Sequence, residues 1–233
     1  MDAIAKLNKV GHSLAIATGR LPHAMMDEIK QLPIDFFILA NGQLVMQNDE
    51  IIFENSIEID VINELMTDTD AIGVQLGFNT ATHSFVTAMT DEVRTSFFTG
   101  DNLPEVSRDV ENHGSIYQIW YFSGNYADMA EKFKDKLRFL PWGWHLSADI
   151  LPNGVSKAVA LSKMLEILGD KIYDKIVFFG DGINDIELIE MADIGVAMGN
   201  AVEPLKAVAD FVTKNIEDDS VYHACEQLGL FCL

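Results

Sequence analysis

The chain has 233 residues, of which 48% are hydrophobic and 22% charged, the mix of an ordinary globular protein. Sixteen Lys and Arg against 36 Asp and Glu give a formal net charge of −20, which argues against a nucleic-acid or anionic-membrane binder but leaves room for a local cationic pocket. The apolar content excludes a disordered acidic tail, and the length suits one large domain or two small ones at roughly 100–200 residues each.

In chain order, Met1–Val10 reads as the tail of a helix. Leu14–Ala17 is a short apolar strand running into Thr18-Gly19-Arg20. Pro22–Leu32 reads as a helix, with apolar Met25, Met26, Ile29 and Leu32, closed by Pro33. Phe36–Ala40 is a buried strand, and Asn41-Gly42 is a turn signal before Leu44–Met46. A continuously apolar strand, a helix and another such strand suggest a parallel sheet covered on both faces.

Residues 53–150 have a different texture. Ile57–Met66 is expected as a helix, Ile72–Leu76 and Ser84–Ala88 as strands, and Val106–Val110 as a short helix. Ile116–Phe122 is a strand, Tyr126–Arg138 a charged helix, and Trp144–Ile150 alternates like a strand. The α/β texture then returns. Val155–Leu168 is a helix, Lys175–Phe179 a buried strand and Asp185–Ala192 a helix. Ile194–Ala197 is a strand, Glu203–Val208 a helix, Phe211-Val212 a short strand and Asp218–Leu228 a closing helix. The pattern predicts an α/β, Rossmann-like core made of residues 1–52 and 151–233, interrupted by an α+β insert at 53–150.

No apolar run approaches the ~18 residues of a membrane helix, and Met1–Lys6 lacks the basic-then-apolar order of a signal peptide. The two cysteines, Cys225 and Cys232, lack neighbours at zinc-finger spacing and read as free thiols in a reducing cytoplasm.

Open parallel sheets bind ligands at the C-terminal ends of their strands. After Leu14–Ala17, the Thr18 hydroxyl, the Gly19 N–H and the Arg20 guanidinium suit a phosphate oxygen, although a Thr-Gly pair is also an ordinary turn. After Lys175–Phe179 comes Gly180-Asp181-Gly182-Ile183-Asn184-Asp185. Asp181 and Asp185 can converge on one magnesium ion, and Asn184 can donate to a phosphate. The plainer reading is a glycine turn with Asn184 or Asp185 capping a helix. A dinucleotide fingerprint fails, because Asp185 stands where its third glycine belongs. This disfavours a nucleotide-binding oxidoreductase. Lys157 opens a helix, where a lysine opposes the helix dipole unless an anion binds there; a solvated surface lysine is the alternative. A phosphate monoester with Mg²⁺ uses all three signals. In the insert, His83, His113, Trp142 and Trp144 are candidates for substrate contact, and the tryptophans equally suit closure of a small core.

Taken together, these motifs resemble the haloacid dehalogenase (HAD) superfamily, specifically the Cof-type phosphatases with an α/β cap, over essentially the whole chain. Leu14–Arg20 is similar to that family's second motif, whose threonine binds phosphate. Ile38–Gly42, ending in Asn41-Gly42, is similar to its turn beside the substrate pocket. Leu151–Lys157 resembles the third motif, whose lysine neutralises nucleophile and phosphate, and Gly180–Asp185 resembles the "GDGxND" fourth motif carrying metal-binding acids. Val212-Thr213 and Asp218–Gly229 resemble the C-terminal signature. The resemblance implies a Mg²⁺-dependent hydrolase of a small phosphorylated metabolite such as a sugar phosphate. Thr18 and Lys157 would be catalytic; Thr18, Gly19, Arg20, Asn41, Gly42, Lys157 and Asn184 would bind phosphate or substrate; Asp181 and Asp185 would bind the metal; the insert would be the cap.

One departure accompanies the match. The family's first motif, D-x-D-G-T, supplies the nucleophile, the acid/base aspartate and two metal contacts on a central strand. Residues 1–10 contain no D-x-D. Without that motif no aspartyl-phosphate forms, and the neighbouring strands lose backbone partners. Three explanations are expected. The sequence begins at an internal methionine of an active phosphatase, or it is a non-catalytic binder of phosphometabolites or a partner protein, or a homo-oligomeric or swapped assembly fills the gap.

Overall fold

The computed structural model describes residues 2–97, 103–142, 146–169 and 173–232. The chain divides into two compact units. One comprises Met1–Arg20, Met25–Glu54 and Val155–Leu233, and the other Leu21–Ala24 with Asn55–Gly154.

The first segment runs α1 (Asp2–Lys9), β1 (Ala15–Ala17), a 3-10 turn at Pro22–Ala24, α2 (Asp27–Lys30), β2 (Phe36–Leu39), a 3-10 turn at Ala40–Gly42, β3 (Leu44–Gln47) and β4 (Glu50–Glu54). The helix expected at Pro22–Leu32 is only a turn followed by the single turn of α2. None of α2's residues is buried and Met26 is exposed, so no packed apolar face offsets the cost of starting a helix. The strand β4 has no counterpart in the sequence reading. It forms because Asn48 and Asp49 both take positive φ, 49° and 65°, the backbone of a tight hairpin that pairs Gln47 with Glu50.

The insert continues with α3 (Ile59–Ala71), β5 (Gln75–Asn79), β6 (Ser84–Val86), α4 (Asp91–Thr95), β7 (Glu105–Val106), β8 (Gln118–Phe122), α5 (Ala127–Phe133), β9 (Leu137–Pro141) and β10 (Ala148–Pro152). Its sheet has the order β7-β6-β5-β8-β10-β9. Alternation along β8 divides two cores. Ile119 and Tyr121 join Ile62 and Leu65 of α3 and Phe133 of α5, whereas Phe122 and Trp120 join Val93 of α4, Phe97 and Trp142. Two helical expectations are corrected here. Residues 106–110 begin as strand β7, which pairs parallel with β6. The helix expected to reach Arg138 stops at Phe133, and Leu137–Pro141 pairs antiparallel with β10, with buried Leu137 joining the core. Trp144 lies outside the described residues.

The last segment holds α6 (Lys157–Leu168), β11 (Val177–Gly180), α7 (Ile186–Met191), β12 (Ile194–Ala197), α8 (Glu203–Lys206), β13 (Phe211–Val212) and α9 (Ser220–Gln227). With the first segment it forms the mixed α/β unit. β1 and β2 are parallel, Ala15 opposite Phe36, and β2-β3-β4 continue antiparallel. β11-β12-β13 form a second, wholly parallel sheet. The α6 face Ala158, Leu161 and Met164 packs on Phe36, Ile38 and Val45 of the first sheet and on Leu188 of α7.

The parallel strands therefore lie in two sheets, and among the described residues no strand pairs with the outer edge of β1 or of β11. Ala15 is exposed, and Val177, Phe178 and Phe179 are only half-buried. This exposure is that of edge strands. Cys225 is buried, Cys232 is exposed, and both are free thiols. No helix among the described residues is long and apolar enough to cross a membrane.

Candidate functional site

The residues that follow β1, β2 and β11 meet at the C-terminal ends of these strands. Beyond β1, Thr18 donates its N–H to the Ile38 carbonyl (2.8 Å) and accepts at its own carbonyl from Asn41 N–H (3.1 Å). The Arg20 carbonyl accepts from Ala40 N–H (2.9 Å). These bonds zip the Thr18–Arg20 loop to the turn after β2. The Thr18 hydroxyl accepts from Arg20 N–H at 3.2 Å.

That turn is strained. Ala40 and Asn41 hold φ of 50° and 55°, and Gly42 holds 99°. Two successive non-glycine residues in the left-handed region are costly and persist where surrounding contacts enforce them. Gly42 is required twice over. A Cβ there would stand 2.3 Å from the Ser156 carbonyl oxygen, besides the positive φ. The strand-end turn is thus pressed against the start of α6. A Cβ on Gly19 would stand 3.1 Å from both polar atoms of the Asn41 carboxamide. Asn41 in turn accepts at Oδ1 from Asn184 Nδ2 (2.9 Å). Asn41 is therefore the hub that ties the loop after β1 to the loop after β11.

The N-terminus of α6 is capped by the Ser156 hydroxyl, which accepts from Val159 N–H. Lys157 follows as the first helical residue and is only 6% exposed, with Nζ 2.7 Å from Asp185 Oδ1. Asp185 is equally buried, and its Oδ2 accepts from the backbone N–H groups of Asp181 and Gly182, each at 3.1 Å. Both oxygens of Asp185 are thus engaged, one by the ammonium and one by two amides. The Asp181 carboxylate is exposed and makes no ion pair or hydrogen bond among the described residues.

The structure therefore brings Thr18, Gly19, Asn41, Gly42, Asn184, Lys157 and Asp185 together in one unit, with Arg20 and Asp181 exposed beside them. Such a set presents a hydroxyl, backbone amides, carboxamides and an ammonium, the donors that bind an oxyanion. An oxygen-seeking cation meets one open carboxylate, Asp181. This fits a magnesium ion, which keeps several waters and takes one or two carboxylates plus phosphate oxygens. Sequence reasoning missed two residues: Ser156, whose Ser-x-x pattern before a helix is a capping signal, and Asp185 as the partner of Lys157, which no spacing announces. His83, His113 and Trp142 belong to the other unit. Trp142 packs edge-on against Phe122 and donates Nε1–H to Asp149. The one D-x-D of the chain, Asp68-Thr69-Asp70, lies on α3, where Asp68 pairs with Lys132 and Asp70 with Arg108.

The family model described as haloacid dehalogenase-like hydrolase matches residues 1–225. YkrA of Bacillus subtilis is 33% identical over 97% of this chain and 88% of its own length. Pyridoxal phosphate phosphatase YbhA of Escherichia coli is 28% identical over 95% of this chain and 88% of its own. The crystal structure of BT1666 from Bacteroides thetaiotaomicron, described among phosphatases of the HAD superfamily, superposes with a TM-score of 0.85 at 28% identity, covering 98% of this chain and 86% of that one. The chain belongs to the haloacid dehalogenase-like hydrolase family.

Proposed function

We propose that the strand-end site is the phosphoryl-binding half of a phosphomonoesterase active site for a small phosphorylated metabolite, and that this polypeptide binds phosphate without turning it over. The observation that carries the reading is the Asn41 hub, which gathers the loops after β1 and β11, while Gly42 presses the same turn onto the helix that carries Lys157.

The chemistry follows from the donors. Thr18 Oγ and the Gly19 N–H bind phosphoryl oxygens. Lys157 has three N–H groups and spends one on Asp185, so two remain for oxygens on which charge accumulates. Asp185 fixes the ammonium and is itself held by two amides; we assign it to positioning Lys157 rather than to metal binding. Asn184 and Arg20 hold the remaining oxygens. Magnesium bound at Asp181 would neutralise further phosphoryl charge. By the family's pattern, the attacking and proton-transferring aspartates belong to a D-x-D-G-T segment that the sequence lacks, so no covalent intermediate forms on this chain. The inserted unit is assigned as the cap that selects the metabolite. Pyridoxal phosphate is the substrate named for YbhA, and phosphorylated metabolites of that size are the class expected here. Two free thiols support a reducing, cytoplasmic setting.

Isothermal titration of the full chain with inorganic phosphate in magnesium buffer tests the reading. Binding is expected in the parent, weakened at least about tenfold by Lys157→Ala and by Thr18→Val. Equal binding by parent and both folded variants would place the phosphate elsewhere.

A further inference from the structure

The inserted unit holds a second cluster of chemically competent groups. His83 precedes β6, Glu105 opens β7, and His113 ends a 3-10 turn at Glu111–His113. One ligand atom from each of the three lies within 4.8 Å of the others. His83 Nε2 stands 2.8 Å from His113 Nδ1. Glu105 Oε1 stands 3.6 Å from His113 Nδ1 and 4.0 Å from His83 Nε2. We propose that His83, Glu105 and His113 form a binding site for a zinc-type divalent cation.

Three features favour a cation over a chance meeting of side chains. First, each imidazole is anchored from behind. His83 Nδ1 lies 2.9 Å from Thr82 Oγ1 and 3.2 Å from Thr80 Oγ1, and His113 Nε2 lies 2.9 Å from Ser107 Oγ. Hydrogen bonds on the outer nitrogens orient metal-binding histidines. When those outer nitrogens donate, the inner two face each other as lone pairs at 2.8 Å, an arrangement that a cation bridges; in the opposite tautomer one inner N–H bonds the other nitrogen directly. Second, the frame is fixed. The His113 ring stacks on buried Phe85, with centroids 4.0 Å apart. Phe85 is opposite Glu105 in the β6–β7 register, and the Thr80–His83 turn is closed by Thr80 N–H to the His83 carbonyl at 3.0 Å. Third, two imidazoles and one carboxylate are the ligands of zinc and its neighbours in the first transition row; magnesium and calcium prefer oxygen alone. Zinc–nitrogen bonds of about 2.05 Å at a tetrahedral angle require about 3.3 Å between the nitrogens. The pair therefore opens by a few tenths of an ångström on binding. Water completes the shell, since His83 and Glu105 are 37% and 58% exposed in their side chains.

The residues of this site share none with the phosphate site, so the two readings stand or fall separately. Bound zinc would tie β6, β7 and the 110s turn into one piece. The test is titration of the chelator-stripped full chain with Zn²⁺, and separately with Co²⁺, beside His83→Gln and Glu105→Gln. Both substitutions are at partly exposed positions. One equivalent is expected in the parent, with affinity at least about tenfold lower in each variant. Excess Zn²⁺ should raise the parent's unfolding temperature more than the variants'. Co²⁺ should give visible bands without the near-ultraviolet thiolate band that Cys232 would add. Equal affinity in parent and variants, a thiolate band, or weak binding of several equivalents without a stability gain would overturn the site.

Discussion

At the scale of single residues, the Lys157–Asp185 pair sets the account. Both groups lie almost wholly out of water, where an unpaired charge is far costlier than a paired one. Removing the ammonium alone, as in Lys157→Met, should destabilise the chain by about 3 kcal/mol in urea unfolding; a change below experimental error would mean that the pair is not buried in solution. Asp149 makes a second residue-scale case. Burial raises its carboxyl above the ordinary value, against the opposing hydrogen bonds from Trp142 and Gln118. A raised carboxyl makes the folded chain hold a proton that the unfolded chain has released. Stability therefore falls as pH rises from the unfolded value toward the folded one, and stays at the lower level above it. Asp149→Asn keeps an oxygen for Trp142 and removes that loss. Urea midpoints should show the variant ahead of the parent at pH 7, with the lead shrinking toward pH 4. A variant less stable than the parent at pH 7 would contradict the assignment.

At the scale of elements, the turn at Ala40–Gly42 and the start of α6 act as one joint. Gly42→Ala adds a methyl 2.3 Å from a backbone carbonyl at a φ of 99°. It should cost about 1–3 kcal/mol by overpacking alone and weaken phosphate binding with it; unchanged thermal stability would show that the contact is not tight. Here the sequence was only partly legible. Asn41-Gly42 announced a turn, but not that two residues before the glycine also take left-handed backbone, because tertiary contacts enforce that choice. Strands β2, β11 and β12 could be read from continuous apolar runs that are packed by helices. β9 could not: Lys134-Asp135-Lys136 continues the charged texture of α5, and only pairing with β10 decides for strand. The same limit applied to the site. Motif order located Thr18, Lys157 and Asp181, whereas the capture of Asp185 by Lys157 is a contact across 28 residues that spacing does not encode.

At the scale of the molecule, the division of the parallel strands between two sheets is the dominant feature. β1 and β11 each present a free edge among the described residues, and free edges recruit further strands. Sedimentation velocity should therefore show species heavier than the 25.9 kDa monomer at micromolar concentration; a single monomer peak across the concentration series would mean that the edges are protected. The same division bears on activity. By the family resemblance the nucleophile belongs to a D-x-D-G-T motif on a central strand, and no such motif stands in the given residues. On the proposed reading, the remaining residues bind phosphate but do not break its ester bond. Release of nitrophenolate from p-nitrophenyl phosphate, followed with magnesium present, tests this directly. No release above the protein-free blank is expected, and sustained release that disappears in Asp181→Ala would overturn the proposal.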